Sequence, residues 1–178
     1  METHPWIRPR TPVEPADITI PRTIAESATT TSRLMEVLDS NNHGNVHGGV
    51  ILRMVDESAA IVAIKHARRP VVTARIEHFS FVAPAYIGEV VTIKSALNYV
   101  GRTSMEIGVE VWAESPRTGE VRLVGTCNVV YVALDENRNP VPVPPLQPAN
   151  EEESLRINRA KARRERLRQM DEELKNMS

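Results

Sequence analysis

The stretch Asn45-Val-His-Gly-Gly-Val-Ile-Leu-Arg-Met-Val-Asp-Glu-Ser-Ala-Ala-Ile-Val-Ala-Ile-Lys-His-Ala67 decides how the rest of the chain is read. It is the one long helical pattern before Pro148. From Val50 to Ile64 only Arg53, Asp56, Glu57 and Ser58 are polar, which describes a helix enclosed by other structure. A carboxylate on such a helix needs a partner or a task. Arg53 lies one turn before Glu57 and three residues before Asp56, and one guanidinium cannot easily satisfy two carboxylates inside a core. An ion pair with Arg53 accounts for Glu57 and leaves Asp56 as the candidate for chemistry.

Outward from the helix, the pattern turns to strand and loop. Thr29 to Leu38 is β-prone at its start and precedes the turn Asp39-Ser-Asn-Asn-His-Gly44. Arg68-Arg69-Pro70 stops the helix. Strands are then predicted at Val71 to Val82, Val90 to Val100, Ser104 to Ala113 and Val121 to Leu134, with short turns such as Gly101-Arg102-Thr103 between them. One helix among five strands predicts an α+β fold, an antiparallel sheet wrapped around the helix, because no second helical pattern falls between residues 68 and 134. A helix of ~18 residues is ~27 Å long, more than one sheet covers on all sides, so a homodimer is expected to complete the enclosure.

Composition bounds the rest. The chain has 178 residues, 22 basic and 23 acidic, for a net charge of −1, so no overall field points to nucleic acid or an acidic membrane. The longest apolar run, Ala59 to Ile64, falls far short of the ~20 residues of a membrane span, and no membrane insertion is expected. The single Cys127 cannot form an internal disulfide, which fits a reducing, cytoplasmic setting. Residues 1–28, with prolines at 5, 9, 12, 15 and 21, read as an extended arm; 29–146 as the domain; and 147–178 as a linker followed by a charged amphipathic helix striped by Leu167, Met170, Leu174 and Met177.

Four segments carry a family likeness. Gly44-Asn-Val-His-Gly-Gly-Val-Ile-Leu-Arg-Met-Val-Asp-Glu-Ser-Ala59, Val72-Thr-Ala-Arg75, Gly101-Arg-Thr-Ser-Met-Glu106 and Val141-Pro-Val-Pro-Pro145 closely resemble the hotdog-fold acyl-CoA thioesterases, in the branch of the cytosolic acyl-CoA hydrolases. The resemblance covers roughly residues 30 to 146. It implies hydrolysis of a fatty acyl-CoA to free acid and CoA without metal or other cofactor, CoA being part of the substrate, in double-hotdog units that commonly assemble as trimers of dimers.

Thioester hydrolysis needs a polarised carbonyl, an activated nucleophile and a grip on an anionic leaving group. Gly48 and Gly49 stand at the helix start, where backbone amides meet an oxyanion well and absent Cβ atoms let the thioester approach. Asp56 would serve as general base for water or attack directly to give an anhydride. The resemblance assigns that role to Asp56 and gives Asn45 the task of orienting water or thioester. Asp56 lies ~10 Å along the helix from Gly49, so each site is expected to pair Asn45 of one protomer with Asp56 of the other. The turn Gly101-Arg102-Thr103-Ser104 is the candidate contact for the CoA phosphates. Gly44, Gly48 and Gly49 around His43 and His47 argue against a regular helical metal pair, no Cys or third His lies nearby in the sequence, and His47 fits better as a residue lining the acyl entrance. Two alternatives stay open on residues alone: an acyl-thioester hydratase or dehydratase, which would want a histidine acid or base on this helix, and a non-catalytic acyl-CoA-binding module.

Overall fold

The computed structural model describes residues 17–176, so the proline-rich segment before Asp17 and the last stripe residue, Met177, lie outside the described residues. The elements run β1 (Thr29–Leu34), a 3-10 turn (Val37–Asp39), α1 (Gly48–Ala67), β2 (Val71–Phe81), β3 (Val90–Val100), β4 (Ser104–Glu114), β5 (Val121–Ala133) and α2 (Glu151–Asn176). The five strands form one antiparallel sheet in the order β1-β3-β4-β5-β2. Helix α1 carries the chain from one edge strand to the other across the inner face of the sheet, and this fixes the hotdog topology.

Alternation in the strands supplies the core. Val91, Ile93 and Leu97 of β3, with Met105, Ile107, Val109 and Val111 of β4, face Ile51, Val55, Ala59 and Val62 of α1, all buried. Ser58, the polar residue in that stripe, shares a hydrogen bond of 2.9 Å with Ser95 of β3, so its burial leaves no hydroxyl unpaired. The predicted strand from Thr29 to Leu38 is shorter in the structure. Buried Asp39 draws the chain round at Val37: its carboxylate accepts from the Glu36 N–H at 2.8 Å and from Arg33 at 2.6 and 2.8 Å. These bonds hold a 3-10 turn where propensity alone suggests continued strand.

The described part of the amino-terminal segment is tied down at the end of α1. Arg22 donates to the carbonyls of Lys65 and His66 at 3.1 and 2.8 Å, satisfying helix-end acceptors with a cation. His66 itself is buried, with Nε2 2.8 Å from the Pro144 carbonyl and Nδ1 without a partner among the described residues. Burial holds its imidazole below the ordinary value of 6.5, partly offset by the bond to Pro144. The unfolded chain therefore takes up a proton at His66 before the folded one does, and stability falls as pH drops below about 6.5, by at most ~1.4 kcal/mol per pH unit from this group. Urea titrations between pH 7.5 and 5 are expected to show that slope in the wild type and a reduced one in His66→Gln.

Helix α2 lies across the outer face of the sheet. It buries Ile157 and Ala160, whereas Met170 of the predicted stripe is exposed. Its docking rests on arginines: Arg156 donates to Asn98 at 2.7 Å, Arg163 pairs with fully buried Glu106, and Arg164 stacks 4.9 Å over Tyr99.

Candidate active site

The turn into α1 prepares one half of the site. Asn41 Oδ1 accepts from the N–H groups of His43 and Asn45 at 2.8 and 3.2 Å, which leaves both hydrogens of the Asn41 amide for a ligand. The Asn45 side chain makes no hydrogen bond among the described residues, and its backbone bridges to Tyr86. Asn41 and Asn45 line, with Gly48, Ile51, Phe81 and Val82, a cleft of about 450 Å³. A Cβ on Gly48 would stand 3.2 Å from the Phe81 ring, so glycine keeps the backbone reachable there.

The two amides expected to meet a carbonyl differ in availability. The Gly48 N–H has no acceptor among the described residues, whereas the Gly49 N–H donates to His47 Nδ1 at 2.8 Å. His47 is thus the N-cap of α1, a role its place in the sequence did not suggest. The His47 ring that occupies the Gly49 N–H is itself exposed.

Two turns further on, half-buried Asp56 forms the other half. Thr73 Oγ1 and Tyr131 Oη donate to Asp56 Oδ1 at 2.8 and 2.7 Å, and Oδ2 has no partner among the described residues. Arg53 Nε donates to Glu57 Oε1 at 2.8 Å and leaves Asp56 alone. The carboxylate is therefore held by neutral donors and keeps one oxygen for chemistry. The sequence-based reading gave neither hydroxyl a role, although Thr73 lies in the family-like segment Val72–Arg75. The two residues face each other directly across the β2–β5 ladder, and only that register brings both hydroxyls to one carboxylate.

In a single chain the halves stand apart: Gly48 to Asp56 is ~12 Å along α1, and Asp56 is not among the residues lining the cleft. Both border the free edge of the sheet, where β2 exposes Val72, Ile76 and Phe81 and α1 exposes Ile61 and Ile64.

The Gly101–Ser104 turn closes onto itself through Gly101 N–H to Ser104 O at 2.7 Å, and its Arg102 side chain is exposed. The registers Met105↔Tyr131 and Thr73↔Tyr131 put this turn at the end of the sheet that holds the Asp56 cluster, two strand spacings or roughly 10 Å from β2. Among the other titratable groups, burial pushes the Cys127 thiol up to about 12, too high for a thiolate nucleophile near neutral pH. No group of three or more metal-ligating side chains occurs among the described residues.

An antiparallel five-stranded sheet wrapped around one buried helix, with a cleft at the helix start, is the architecture of a hotdog fold. The Thioesterase superfamily profile matches residues 43–120. An uncharacterized acyl-CoA thioester hydrolase of Bacillus subtilis is 39% identical over 142 residues, spanning 78% of this chain and 82% of that one. A hexameric acyl-CoA thioesterase superposes with a TM-score of 0.80 at 36% identity, covering 86% of this chain and 97% of the other. The acyl-CoA hydrolase of Staphylococcus aureus in complex with butyryl-CoA and CoA superposes with a TM-score of 0.71 at 31% identity, covering 86% and 98%. It has also been solved with an aspartate, a threonine or an asparagine replaced by alanine. The chain belongs to the acyl-CoA thioester hydrolases of the thioesterase superfamily.

Proposed function

We propose that this enzyme hydrolyses fatty acyl-CoA to free acid and CoA at sites shared between two protomers, with Asp56 of one facing the helix start of the other. The observation that carries the reading is the Asp56 carboxylate itself: held on one oxygen by two hydroxyls, with Arg53 bonded to Glu57 instead, and set beside an open sheet edge. Water held by Oδ2 loses a proton to Asp56 as its oxygen attacks the thioester carbon; the oxyanion rests on the Gly48 N–H, joined by Gly49 once His47 swings aside; the C–S bond then breaks, and the departing CoA sulfur takes the proton back from Asp56, leaving as the thiol and restoring the carboxylate. Direct attack by Asp56 through an anhydride uses the same atoms.

Asn45 and Asn41 both suit the orienting role. Asn41 is favoured, because its amide is fixed by two acceptor bonds and because of spacing. In the Staphylococcus aureus enzyme the replaced aspartate and threonine are 17 positions apart, as Asp56 and Thr73 are. The asparagine replaced there precedes the aspartate by the interval from Asn41 to Asp56, which Asn45 does not match.

Pairing across the β2 edge would bury Val72, Ile76 and Phe81 and join complementary half-sites, and three such dimers make the hexamer proposed for this chain. A cytoplasmic location is proposed by analogy with the cytosolic acyl-CoA thioester hydrolases of rat and mouse, 33% identical over 145 residues. The domain limits 29–146 and the linker with α2 stand as the working division of the chain.

Palmitoyl-CoA incubated with the purified protein is expected to release free thiol at a rate proportional to enzyme; a 3-hydroxyacyl-CoA formed from trans-2-hexadecenoyl-CoA, with no thiol released from either substrate, would indicate the hydratase reading, and binding without turnover the sensor. At the turn, Arg102→Ala is expected to raise KM for acyl-CoA about tenfold with kcat little changed, the loss expected for one charge-assisted phosphate contact. The difference from wild type should shrink as salt is added.

A further inference from the structure

We infer that Tyr131 is a positioning residue for hydrolysis: its phenol pins the Asp56 carboxylate to one rotamer and directs the free Oδ2 at the attacking water. This rests on the reading of Asp56 given above and goes beyond it.

Tyr131 is 2% exposed, on the inner face of β5 beneath α1. Its oxygen lies 2.7 Å from the Asp56 main-chain carbonyl and 2.7 Å from Asp56 Oδ1. The phenol has one proton to give. The carbonyl sits in the interior of a helix and already accepts the N–H four residues on, whereas the carboxylate is charged and the stronger acceptor. The proton therefore goes to Oδ1, and the phenol oxygen clamps the side chain against its own backbone. Burial raises the phenol above its ordinary value, so it stays a protonated donor through the neutral range.

Thr73 supplies the second donor to the same oxygen from the strand directly paired with β5. Register slips between Thr73 and Arg75, a bulge that re-aims the strand immediately after the contact. Two donors converging on Oδ1 exclude it from base chemistry and fix the plane of the carboxylate, which leaves Oδ2 as the one oxygen for water. A phenylalanine at 131 would fill the same space and lose only the hydroxyl, so packing and chemistry separate cleanly here.

The test compares Tyr131→Phe, Asp56→Ala and the double variant by steady-state thiol release, with thermal melting of each. Tyr131→Phe is expected to keep KM within twofold and its melting midpoint near wild type while kcat falls about ten- to one-hundredfold, the worth of a hydrogen bond to a charged group. In the Asp56→Ala background the same change is expected to have no further effect, because the group it positions is gone. Wild-type kcat in Tyr131→Phe, a fall matched by loss of folded protein, or an equal fall in both backgrounds would each overturn the inference. Full turnover in Asp56→Ala would instead sink the underlying assignment, so the two failures are told apart.

Discussion

Asp56→Ala is expected to bind acyl-CoA and leave it intact, with kcat lowered about a thousandfold and KM changed little. The magnitude follows from general base catalysis, typically worth 10²–10⁴-fold. The direction follows from the site: the open Gly48 amide, the cleft and the Arg102 turn are all independent of the carboxylate, so binding survives its removal. Among the described residues Asp56 bonds the hydroxyls of Thr73 and Tyr131 and Arg53 bonds Glu57, so its removal orphans no cation there and the variant should fold. Turnover measured by thiol release, beside equilibrium binding of a non-hydrolysable acyl-CoA thioether, reads both halves of the statement. Turnover within tenfold of wild type would remove Asp56 from the chemistry.

Mixing two dead variants should recover activity. Asp56→Ala retains the helix-start half of the site and Asn41→Ala retains the carboxylate half. If the halves meet across the β2 edge, a heterodimer contains one site with both groups intact and one with neither. Random exchange makes half the dimers mixed, so about a quarter of wild-type activity should return after co-refolding or co-expression. Sites built within single chains would return nothing, because every chain carries a lesion. The ~12 Å separation along α1 and the cleft that omits Asp56 favour recovery.

Much of this was legible in the residues. The helix from Gly48 to Ala67 and the four strands after it follow from periodicity, since an alternating segment has one face to bury and turn residues mark its ends. Asp56 stood out because Arg53 could not serve two acids, and Arg53 does bond Glu57 instead. What stayed hidden depends on contacts between distant segments. Thr73 reads as one polar residue on an exposed strand and Tyr131 as part of an apolar run; only the β2–β5 register unites them. Glu106 alternates outward along β4, as a solvent-facing acid would, yet it is wholly buried because α2 crosses over it and brings Arg163. The capping of Gly49 by His47 is a local contact two residues apart, and it is hidden for a different reason, since ring orientation is not written in the sequence.

The position of α2 limits how copies can be stacked. A helix lying on β3 and β4, on the face opposite α1, occupies the surface on which another subunit would have to rest back to back, and the buried Glu106 makes stripping it away costly. If copies of this chain pair as proposed, further contacts between dimers would have to form on the sheet rims and helix flanks, and the proposed shared sites would stay open to incoming thioesters.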